Sequence, residues 1–360
     1  MAGQAEQAEQ ALTPRWPPSG WERDMERSSA RSTVLVTGGC GFVGGHLVRS
    51  LARHGHRVVV VDRLPWRDGH AESVCLDVTD PEGCREVMRE VDPKVVFHLA
   101  ASSTIDSAFA DPHGSLMCNV TGTMNLLEAA RRHCTNLHRF VLASTDKVYG
   151  ELHADAYLET SPLAARGVYD VGKLAADTVT RLYGDELGLP VATLRLCNVF
   201  GPGDRHTGSR IVPRTLSRLF APDGPLPPVV YEGSMEHGRD YVYVSDAVRA
   251  LRTVAFHPRA LGEVFNMAPA AHRTTLDLVE DLIEEARREC EKPDPDRARA
   301  IVKNGYVVVA ADTGAALPRA LTRQHCDATK LGGLGFRVTV SMKDGLRRTV
   351  RAFSGSSGRT

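Results

Sequence analysis

The sequence contains no apolar run near the length of roughly 20 residues that a membrane-spanning helix needs. It also has no excess of one charge, because 44 Lys and Arg residues balance 44 Asp and Glu residues. A chain without net charge has no global attraction for nucleic acid or for an anionic membrane. We therefore expect neither as a partner, and any anion that binds must be held by local groups.

Cysteine pairs of the kind that bind metals are also missing. The eight cysteines are Cys40, Cys75, Cys84, Cys118, Cys134, Cys197, Cys290 and Cys326. No two of them form a CxxC pair and no Cys/His cluster has zinc-ligand spacing, so we predict no metal site and reduced thiols. The first ten residues, MAGQAEQAEQ, lack the apolar core of a secretory signal, and we expect a cytoplasmic protein.

The pattern along the chain predicts four segments. Residues 1–31 are polar and without periodicity, which predicts a disordered arm. Apolar strands alternate with helical patterns over residues 32–200, which predicts an α/β fold of the Rossmann type with a doubly wound parallel sheet. Gly and Pro become frequent in residues 201–353, which predicts a smaller α/β lobe for substrate, with some segments returning to the first domain. Residues 354–360 are predicted to form a tail.

The strands of the predicted sheet are short and apolar. They cover residues 33–37, 57–61, 95–100, 139–144 and 191–196, and the helices cover 42–54, about 115–133 and about 168–187. Ligands of open α/β sheets bind at the carboxyl ends of the strands. We therefore expect the functional residues just after these strands.

A glycine-rich segment, TGGCGFVG, follows the first predicted strand. Gly38, Gly41 and Gly44 allow a tight turn and a close approach of pyrophosphate to the backbone at a helix start. Asp62 ends the second strand, where a carboxylate accepts hydrogen bonds from both adenosine ribose hydroxyls and repels a 2′-phosphate. The segment therefore predicts NAD as the cofactor, although the adjacent Arg63 favours NADP.

Two further segments carry groups for catalysis. Tyr169 and Lys173 are four residues apart in a helical pattern and share one face. A free tyrosine has a pKa of about 10, and a nearby ammonium with a positive nicotinamide ring stabilises its phenolate. We predict Tyr169 as a base and Lys173 as a ligand of the nicotinamide ribose. The segment STDKVYG adds Thr145, Asp146 and Lys147 after the fourth strand.

From about Thr33 to Phe353, the chain resembles an extended short-chain dehydrogenase/reductase of the NAD-dependent sugar epimerase/dehydratase family. The motifs that carry the resemblance are TGGCGFVG, LDVTD, HLAA, NVTGT, STDKVYG, YDVGK, RLCNVFGP, RDYVYVSD and CDATKLGGLGF. The resemblance implies NAD, a nucleotide-diphosphate sugar as substrate, and a homodimer. The helices near 115–133 and 168–187 are implied to build a four-helix bundle between the subunits.

The resemblance also implies roles for individual residues. Those implied in cofactor binding are Gly38, Gly41, Phe42, Val43, Gly44, Asp62, Arg63, Asp77, Val78, Leu99, Ala100, Ala101, Asn119, Tyr169 and Lys173. Those implied in substrate binding are Ser103, Thr145, Asn198, Arg210 and Arg239. The planar guanidinium groups of Arg210 and Arg239 suit a diphosphate, and Thr145 is implied to bind the sugar's 4-hydroxyl beside Tyr169.

Reactions of this family start with oxidation at C4 of the sugar and then diverge. A 4-epimerase returns hydride to the other face of C4, whereas a 4,6-dehydratase eliminates water across C5–C6 and returns hydride to C6. The elimination needs an additional acid and base. The triplet Thr145-Asp146-Lys147 resembles that of some dehydratases, whereas epimerases tend to have small, non-ionisable residues after the hydroxyl. We therefore predict a 4,6-dehydratase, with Asp146 as the acid and a neutral Lys147 as the base at C5.

Alternatives stay open at this point. A free lysine has a pKa near 10.4, so a neutral Lys147 requires a lowering by Lys173, the nicotinamide charge and burial. A 4-epimerase is one alternative. UDP-glucuronate decarboxylase is another, because YDVGK resembles its YDEGK, although those enzymes usually have Thr-Ser-Glu at the triplet. A regulator that binds NAD and a nucleotide without turnover is the non-enzyme alternative, and the nucleobase is open.

Overall fold

The structure is a computed structural model that describes residues 32–269, 272–310 and 321–357. The arm predicted for residues 1–31 lies outside this part of the chain. The last helix runs to Ser357, past residue 354, where the tail was predicted to begin. Among the described residues, no helix combines the length and the apolar character that crossing a membrane requires.

Strands and helices alternate through residues 32–200, as the sequence predicts. The strands are β1 (Thr33–Thr37), β2 (Arg57–Asp62), β3 (Glu72–Cys75), β4 (Val95–His98), β5 (Arg139–Thr145), β6 (Val191–Leu196), β7 (Asn198–Phe200), β8 (Val229–Tyr231), β9 (Gly238–Arg239), β10 (Tyr241–Tyr243), β11 (Val264–Met267), β12 (Arg273–Thr274) and β13 (Val307–Val309). The helices are α1 (Phe42–Arg53), α2 (Pro81–Val91), α3 (Ile105–Ala110), α4 (Pro112–Leu116), α5 (Gly122–His133), α6 (Val168–Asp185), α7 (Ile211–Leu219), α8 (Val244–Phe256), α9 (Thr275–Cys290), α10 (Pro295–Asn304), α11 (Thr329–Gly332) and α12 (Met342–Ser357).

Seven strands form one parallel sheet in the order β11-β6-β5-β4-β1-β2-β3. The predicted Rossmann-type fold is therefore confirmed, and the five predicted strands end within two residues of their predicted ends. The central strands are buried on both faces, which explains their continuous apolar sequence. The strand order reverses between β1 and β4, so a crevice for ligands opens at the carboxyl ends there.

Helices cover both faces of this sheet. On one face α1 and α8 contribute Leu47, Val48 and Leu251 to the core, and on the other α2 and α5 contribute Met88 and Leu126. Because α8 and β11 come from the second half of the sequence, that half contributes directly to the main sheet and its cover.

The remaining helices build a separate core. Leu216 of α7, Leu278 and Leu282 of α9 and Leu346 of α12 pack there with Phe200. Three small two-stranded sheets, β10–β7, β12–β9 and β13–β8, lie outside the main sheet. β7 begins two residues after the carboxyl end of β6, and the substrate role predicted for this lobe stays a prediction.

The helix predicted for about 115–133 begins earlier and contains an irregular turn. α4 begins at Pro112, with the Asp111 carboxylate accepting a hydrogen bond from Gly114 N at 2.9 Å. A π-helical turn, Met117–Thr121, joins α4 to α5. Such turns reorient side chains and are frequent at functional sites. Here the turn carries Asn119.

Candidate active site

The glycine loop after β1 has the geometry of a pyrophosphate cradle. Gly38 has φ +70°, and a Cβ there would lie 2.6 Å from Ala100 N. A Cβ on Gly44 would collide with the carbonyl oxygen of Gly38. Gly41 is the N-cap of α1 and has no side chain that could cap the first turn of the helix. The backbone N–H groups of Phe42 and Val43 can therefore face an anion. Glycine is required at Gly38 and Gly44, and the cradle fits the phosphates of NAD.

Asp62 lies beside this loop at the end of β2. Its Oδ2 accepts a hydrogen bond from Cys40 N at 3.0 Å and its Oδ1 accepts one from Leu64 N at 3.1 Å. Each carboxylate oxygen has a further lone pair for a ribose hydroxyl. The side chain of Arg63 is exposed, and Arg63 O accepts a hydrogen bond from Cys75 Sγ. The arrangement suits an adenosine ribose without a 2′-phosphate.

Asp77 and Val78, which the resemblance implies in cofactor binding, lie in a hydrogen-bonded turn after β3. Asp77 Oδ1 accepts hydrogen bonds from the backbone N–H and the hydroxyl of Thr79, at 2.9 and 2.8 Å. Val78 is buried against Gly122, where a Cβ would approach its side chain to 2.6 Å. Asn125 donates hydrogen bonds to the carbonyl groups of Val78 and Thr79. This turn therefore has one fixed shape before any ligand binds.

The segment after β4 is held from two sides. Leu99 N donates to Thr37 O, and Ala100 N donates to Thr37 Oγ1, both at 3.2 Å. Beyond Ala101, Ser102 N donates to Asn119 Oδ1 at 2.8 Å. Asn119 is therefore already engaged in positioning this loop, which is a role that the sequence did not indicate. Its predicted contact with the cofactor stays a prediction.

The turn after β5 brings three functional side chains together. Thr145 Oγ1 donates to Asp146 Oδ1 at 3.1 Å, and Lys147 Nζ donates to the same oxygen at 3.4 Å. Asp146 is 0 % exposed, and its Oδ2 has no hydrogen-bond partner in the described part of the chain. An isolated buried carboxylate oxygen is costly unless a ligand completes its hydrogen bonding. Asp146 Oδ2 is therefore a candidate contact for substrate.

Helix α6 packs against this turn and carries Tyr169 and Lys173. Burial lowers the pKa of Lys173 to about 8, and its Nζ donates to Ala143 O at 2.6 Å. Burial raises the pKa of Tyr169, while the cationic side chains of Lys147 and Arg210 lower it, and the net direction is upward. The positive nicotinamide ring is the further contribution that the sequence argument invokes, so the role of Tyr169 as a base stays a prediction.

The pKa of Lys147 shifts in the direction opposite to the predicted one. Burial lowers this pKa, but the negative charge of Asp146 and the neighbouring Tyr169 and Asp170 raise it, and the net direction is upward. An ammonium group cannot accept a proton. The sequence argument also includes the charge of the nicotinamide ring, so the role of Lys147 as the base stays a prediction.

The predicted substrate residues line the same crevice. Arg210 forms an ion pair with Asp204 at 3.3 Å and donates to Ser103 O at 3.5 Å. Asn198 Oδ1 accepts a hydrogen bond from Lys147 Nζ at 3.4 Å. These contacts bring together the segments after β4 and β5, the strand β7 and the start of α7.

Arg239 approaches the crevice from the second lobe. Its Nη1 donates to Gly238 O at 2.8 Å and Thr322 O at 3.1 Å, and Nη2 donates to Leu321 O. Its positive charge also lowers the pKa of Lys147, although burial and other groups have larger effects. The guanidinium of Arg239 is therefore near the site but is engaged with backbone carbonyl groups.

One buried network was not predicted from the sequence. Arg195 and Asp177 form two hydrogen bonds of 2.9 Å each and are 1 % and 0 % exposed. Arg195 Nη1 also donates to Tyr149 Oη at 2.7 Å, and Tyr149 Oη donates to Asn266 Oδ1 at 2.7 Å. The network ties α6 to β6, β11 and the turn that carries Asp146. The motif RLCNVFGP contains Arg195, but nothing in its pattern names Asp177 as the partner.

A glycine cradle, a carboxylate at the end of the second strand and a helix with Tyr169 and Lys173, all on a parallel sheet, are the features of a nicotinamide-dinucleotide enzyme of the Rossmann class. A model described as the NAD dependent epimerase/dehydratase family matches residues 34–268, and the chain belongs to this family. Its cofactor is NAD, as the sequence predicted.

Individual relatives are similar over nearly the whole chain. A dTDP-glucose 4,6-dehydratase of Xanthomonas campestris pv. campestris is 32% identical, with 89% of this chain and 92% of that protein covered. The structure of DesIV, a dTDP-glucose 4,6-dehydratase from Streptomyces venezuelae with NAD bound, has a TM-score of 0.77 and 28% identity over 91% of this chain and 98% of that one. The structure of a UDP-glucose 4-epimerase from Thermotoga maritima has a TM-score of 0.78 and 27% identity, with 90% of this chain and 99% of that one covered.

Proposed function

We propose that the protein is a nucleotide-sugar 4,6-dehydratase, which converts an NDP-hexose into an NDP-4-keto-6-deoxyhexose. The observation that carries the proposal is Asp146, a fully buried carboxylate with one unpartnered oxygen beside Thr145 and Tyr169. In its protonated form such a group is suited to protonating a leaving hydroxyl, a step that a 4-epimerase does not need. The similarity to named dTDP-glucose 4,6-dehydratases supports the same reaction.

Each group has a place in the first half of the reaction. Thr145 Oγ1 binds the 4-hydroxyl, and Tyr169, as phenolate, accepts the 4-hydroxyl proton. Lys173 keeps donor capacity beyond its bond to Ala143 O for the nicotinamide ribose. When bound, NAD supplies the oxidant for C4 and the reductant for C6. Asp146 then protonates the 6-hydroxyl as it leaves.

The remaining predicted residues bind the two ligands. The glycine cradle holds the NAD pyrophosphate, and Asp62 holds the adenosine ribose. Arg210 and Arg239 attract the substrate diphosphate, with Asn198 and Ser103 next to the hexose. Both arginines are paired with Asp204 or with backbone carbonyl groups, so each exchanges a protein contact for phosphate when substrate binds.

Isotope labelling tests this function. The NAD-loaded protein is incubated in deuterated water with dTDP-glucose, UDP-glucose, CDP-glucose and UDP-N-acetylglucosamine. We expect one of these to lose water and to give a 4-keto-6-deoxy product with deuterium at C5, because the C5 proton is removed and replaced during elimination. Mass spectrometry and NMR identify the product.

Other outcomes of the same experiment identify the other candidates. The similarity to a UDP-glucose 4-epimerase makes a 4-epimerase the second candidate, and a C4-inverted product without deuterium at C5 would establish it. Loss of carbon dioxide from added UDP-glucuronate indicates a decarboxylase. Binding of nucleotide sugars without any turnover indicates a regulator.

We also propose a homodimer through α5 and α6. Exposed apolar side chains cluster on α3, α4, the π-helical turn and α5, all of which pack against α6, and on α6 itself. They are Ile105, Phe109, Leu116, Met117, Met124, Val171 and Leu182. A group of seven exposed apolar side chains on helices that pack together is typical of an interface between proteins.

Charge reversal of the patch tests the dimer. Met124→Glu with Leu182→Glu should yield a monomer, because two carboxylates per subunit would have to be buried in the interface. Light scattering after size-exclusion chromatography measures the mass. Leu226→Glu is the control, since Leu226 is similarly exposed but lies outside the patch. A parent protein that is monomeric, or a double variant that stays dimeric, contradicts the proposal.

A further inference from the structure

The helix that begins at the NAD cradle also contacts the second lobe. Phe42, the first residue of α1, packs against the core of that lobe. One turn later, His46 Nε2 lies 2.8 Å from the carbonyl oxygen of Pro202, in the loop between β7 and α7. The rings of Phe42 and His46 are in edge contact, with their centroids 5.7 Å apart. Two side chains of α1 therefore join the cofactor cradle to the lobe predicted to hold the substrate.

The hydrogen bond between His46 and Pro202 has only one possible direction. A carbonyl oxygen accepts hydrogen bonds and does not donate them, so His46 Nε2 carries the hydrogen. Burial lowers the pKa of His46, the bond to Pro202 raises it, and Arg49 and Arg53 lower it, with a net direction downward. The imidazole is therefore neutral near pH 7, with its hydrogen on Nε2.

The loop that accepts this bond leads directly to Arg210. It passes through Gly203, whose φ of +88° lies in the left-handed region that favours glycine, to the buried carboxylate of Asp204. Asp204 Oδ1 accepts a hydrogen bond from the backbone N–H of His206 at 3.2 Å, and Asp204 Oδ2 accepts one from Arg210 Nη1 at 3.3 Å. A continuous series of contacts therefore runs from Pro202 to the guanidinium of Arg210.

Arg210 is the residue in this series that lies near the reacting groups. Burial raises the pKa of Tyr169, and the positive charge of Arg210 opposes that shift. Arg210 Nη2 also donates to Ser103 O at 3.5 Å. A guanidinium has five N–H donors, and its contacts with Asp204 and Ser103 use two of them. The contact with Ser103 O is the longer of the two, so a phosphate can replace it while Asp204 keeps its hold on Arg210.

We propose that His46 is a positioning residue for substrate binding, because its bond to Pro202 O fixes the loop that sets Arg210 against the substrate diphosphate. The inference rests on the role of Arg210 in the proposed function. His46 does not touch the substrate and acts through the loop. Because α1 also begins at the NAD pyrophosphate cradle, the same bond fixes the position of the diphosphate site relative to the cofactor.

Binding of nucleotide diphosphates to the NAD-loaded protein tests the proposal. UDP, dTDP and CDP are titrated by calorimetry, and the one that the parent protein binds most tightly is used for the variants. His46→Leu removes the N–H donor and should raise the Kd by about 3- to 10-fold, the factor that corresponds to one hydrogen bond. His46→Gln keeps a side-chain N–H donor at similar reach and should restore most of the affinity. A Kd of His46→Leu equal to that of the parent protein overturns the proposal.

A double-mutant cycle determines whether His46 acts through Arg210. Arg210→Gln should itself raise the Kd by about tenfold or more, because it removes hydrogen bonds from a charged donor. In the Arg210→Gln background, His46→Leu should have almost no further effect, since the two residues act through one loop. An equal effect of His46→Leu in both backgrounds would show that the bond acts without Arg210 and overturns the proposal.

A kinetic measurement separates positioning from a general loss of structure. It uses the sugar nucleotide of the labelling panel that the parent protein dehydrates. His46→Leu should raise KM by the same factor as Kd and leave kcat within about twofold of the parent value, the pattern for loss of an interaction that serves binding alone. A lower kcat with an unchanged KM contradicts the proposal.

The matched control lies on the same helix. His54 is the C-cap of α1, and its Nδ1 lies 2.7 Å from Ser50 O within that helix. His54→Leu makes the same chemical change away from the second lobe and should bind nucleotide diphosphate as the parent protein does. A loss of affinity in His54→Leu equal to that in His46→Leu overturns the proposal.

The remaining outcomes separate failure of the proposal from failure of the proposed function. Circular dichroism and NAD content verify the fold and the cofactor of every variant. Loss of NAD from His46→Leu with an unchanged Kd for nucleotide diphosphate places His46 in the service of the cofactor alone and overturns the proposal. If Arg210→Gln binds as tightly as the parent protein, or the parent protein binds no nucleotide diphosphate, the function proposed for Arg210 fails, and the role of His46 fails with it.

Discussion

Replacing Tyr169 with phenylalanine should keep the fold and NAD but lower the rate of turnover by about 10³-fold, within the usual range of about 10² to 10⁴ for acid–base catalysis. The change removes one oxygen and keeps the ring, so the packing of α6 is preserved. Without the phenolate, no group in this position accepts the 4-hydroxyl proton, and C4 oxidation becomes slow. The rate of NADH formation after mixing with substrate measures this step directly.

The matched control for this variant lies on the same helix. Tyr183→Phe makes the identical chemical change at a phenol that donates a hydrogen bond to Glu128 at 3.2 Å, outside the crevice. It should turn over at the parent rate. Activity of Tyr169→Phe within a few-fold of the parent protein would remove Tyr169 from the mechanism. Loss of bound NAD would instead show that the phenolic oxygen of Tyr169 serves cofactor binding.

Replacing Asp177 with asparagine should lower the free energy of unfolding by about 3–5 kcal/mol, the usual cost of removing one partner of a buried ion pair. Arg195 would keep its charge at 1 % exposure and would lose the carboxylate that makes two hydrogen bonds with it. Because the same guanidinium holds Tyr149, the turn with Asp146 should also loosen, and turnover should fall although neither residue touches the substrate.

Urea denaturation of the NAD-loaded protein measures the stability change. The double variant Asp177→Leu with Arg195→Met should be more stable than Asp177→Asn, because it leaves no unpaired charge in the core. It should not recover turnover, since the contact with Tyr149 is absent. A midpoint for Asp177→Asn equal to that of the parent protein would contradict the role of this ion pair.

The sequence predicts the main sheet well because each relevant signal is local. The apolar runs that became β1, β2, β4, β5 and β6 are short and bounded by helical patterns, and a strand buried on both faces needs just such a run. The glycine signal at Gly38 and Gly44 is also largely local, because the turn at Gly38 and the collision of a Gly44 Cβ with Gly38 O involve one short segment. NAD as the cofactor follows from the same segment with Asp62.

The parts that could not be predicted depend on contacts between distant residues. The pKa of Lys147 depends on burial and on the charges of Asp146 and Asp170. The extent of burial cannot be read from the sequence Thr145-Asp146-Lys147. Arg195 and Asp177 are 18 residues apart and meet only because β6 packs against α6. Asp170 stands next to Tyr169 in the sequence, yet only the structure shows that its Oδ1 is buried without a hydrogen-bond partner among the described residues.

The parallel arrangement of the main sheet has a consequence for how the chain reaches its native state. Parallel neighbours cannot be joined by a tight turn, so each pairing closes a long loop. The extreme case is β11, which pairs with β6 only after the chain has passed through much of the second lobe, from Leu196 to Val264. Folding dominated by such distant pairings is slow. Because Asn266 of β11 holds the Tyr149 turn, the active site is completed only once this last edge strand has docked, and regained turnover marks the end of refolding.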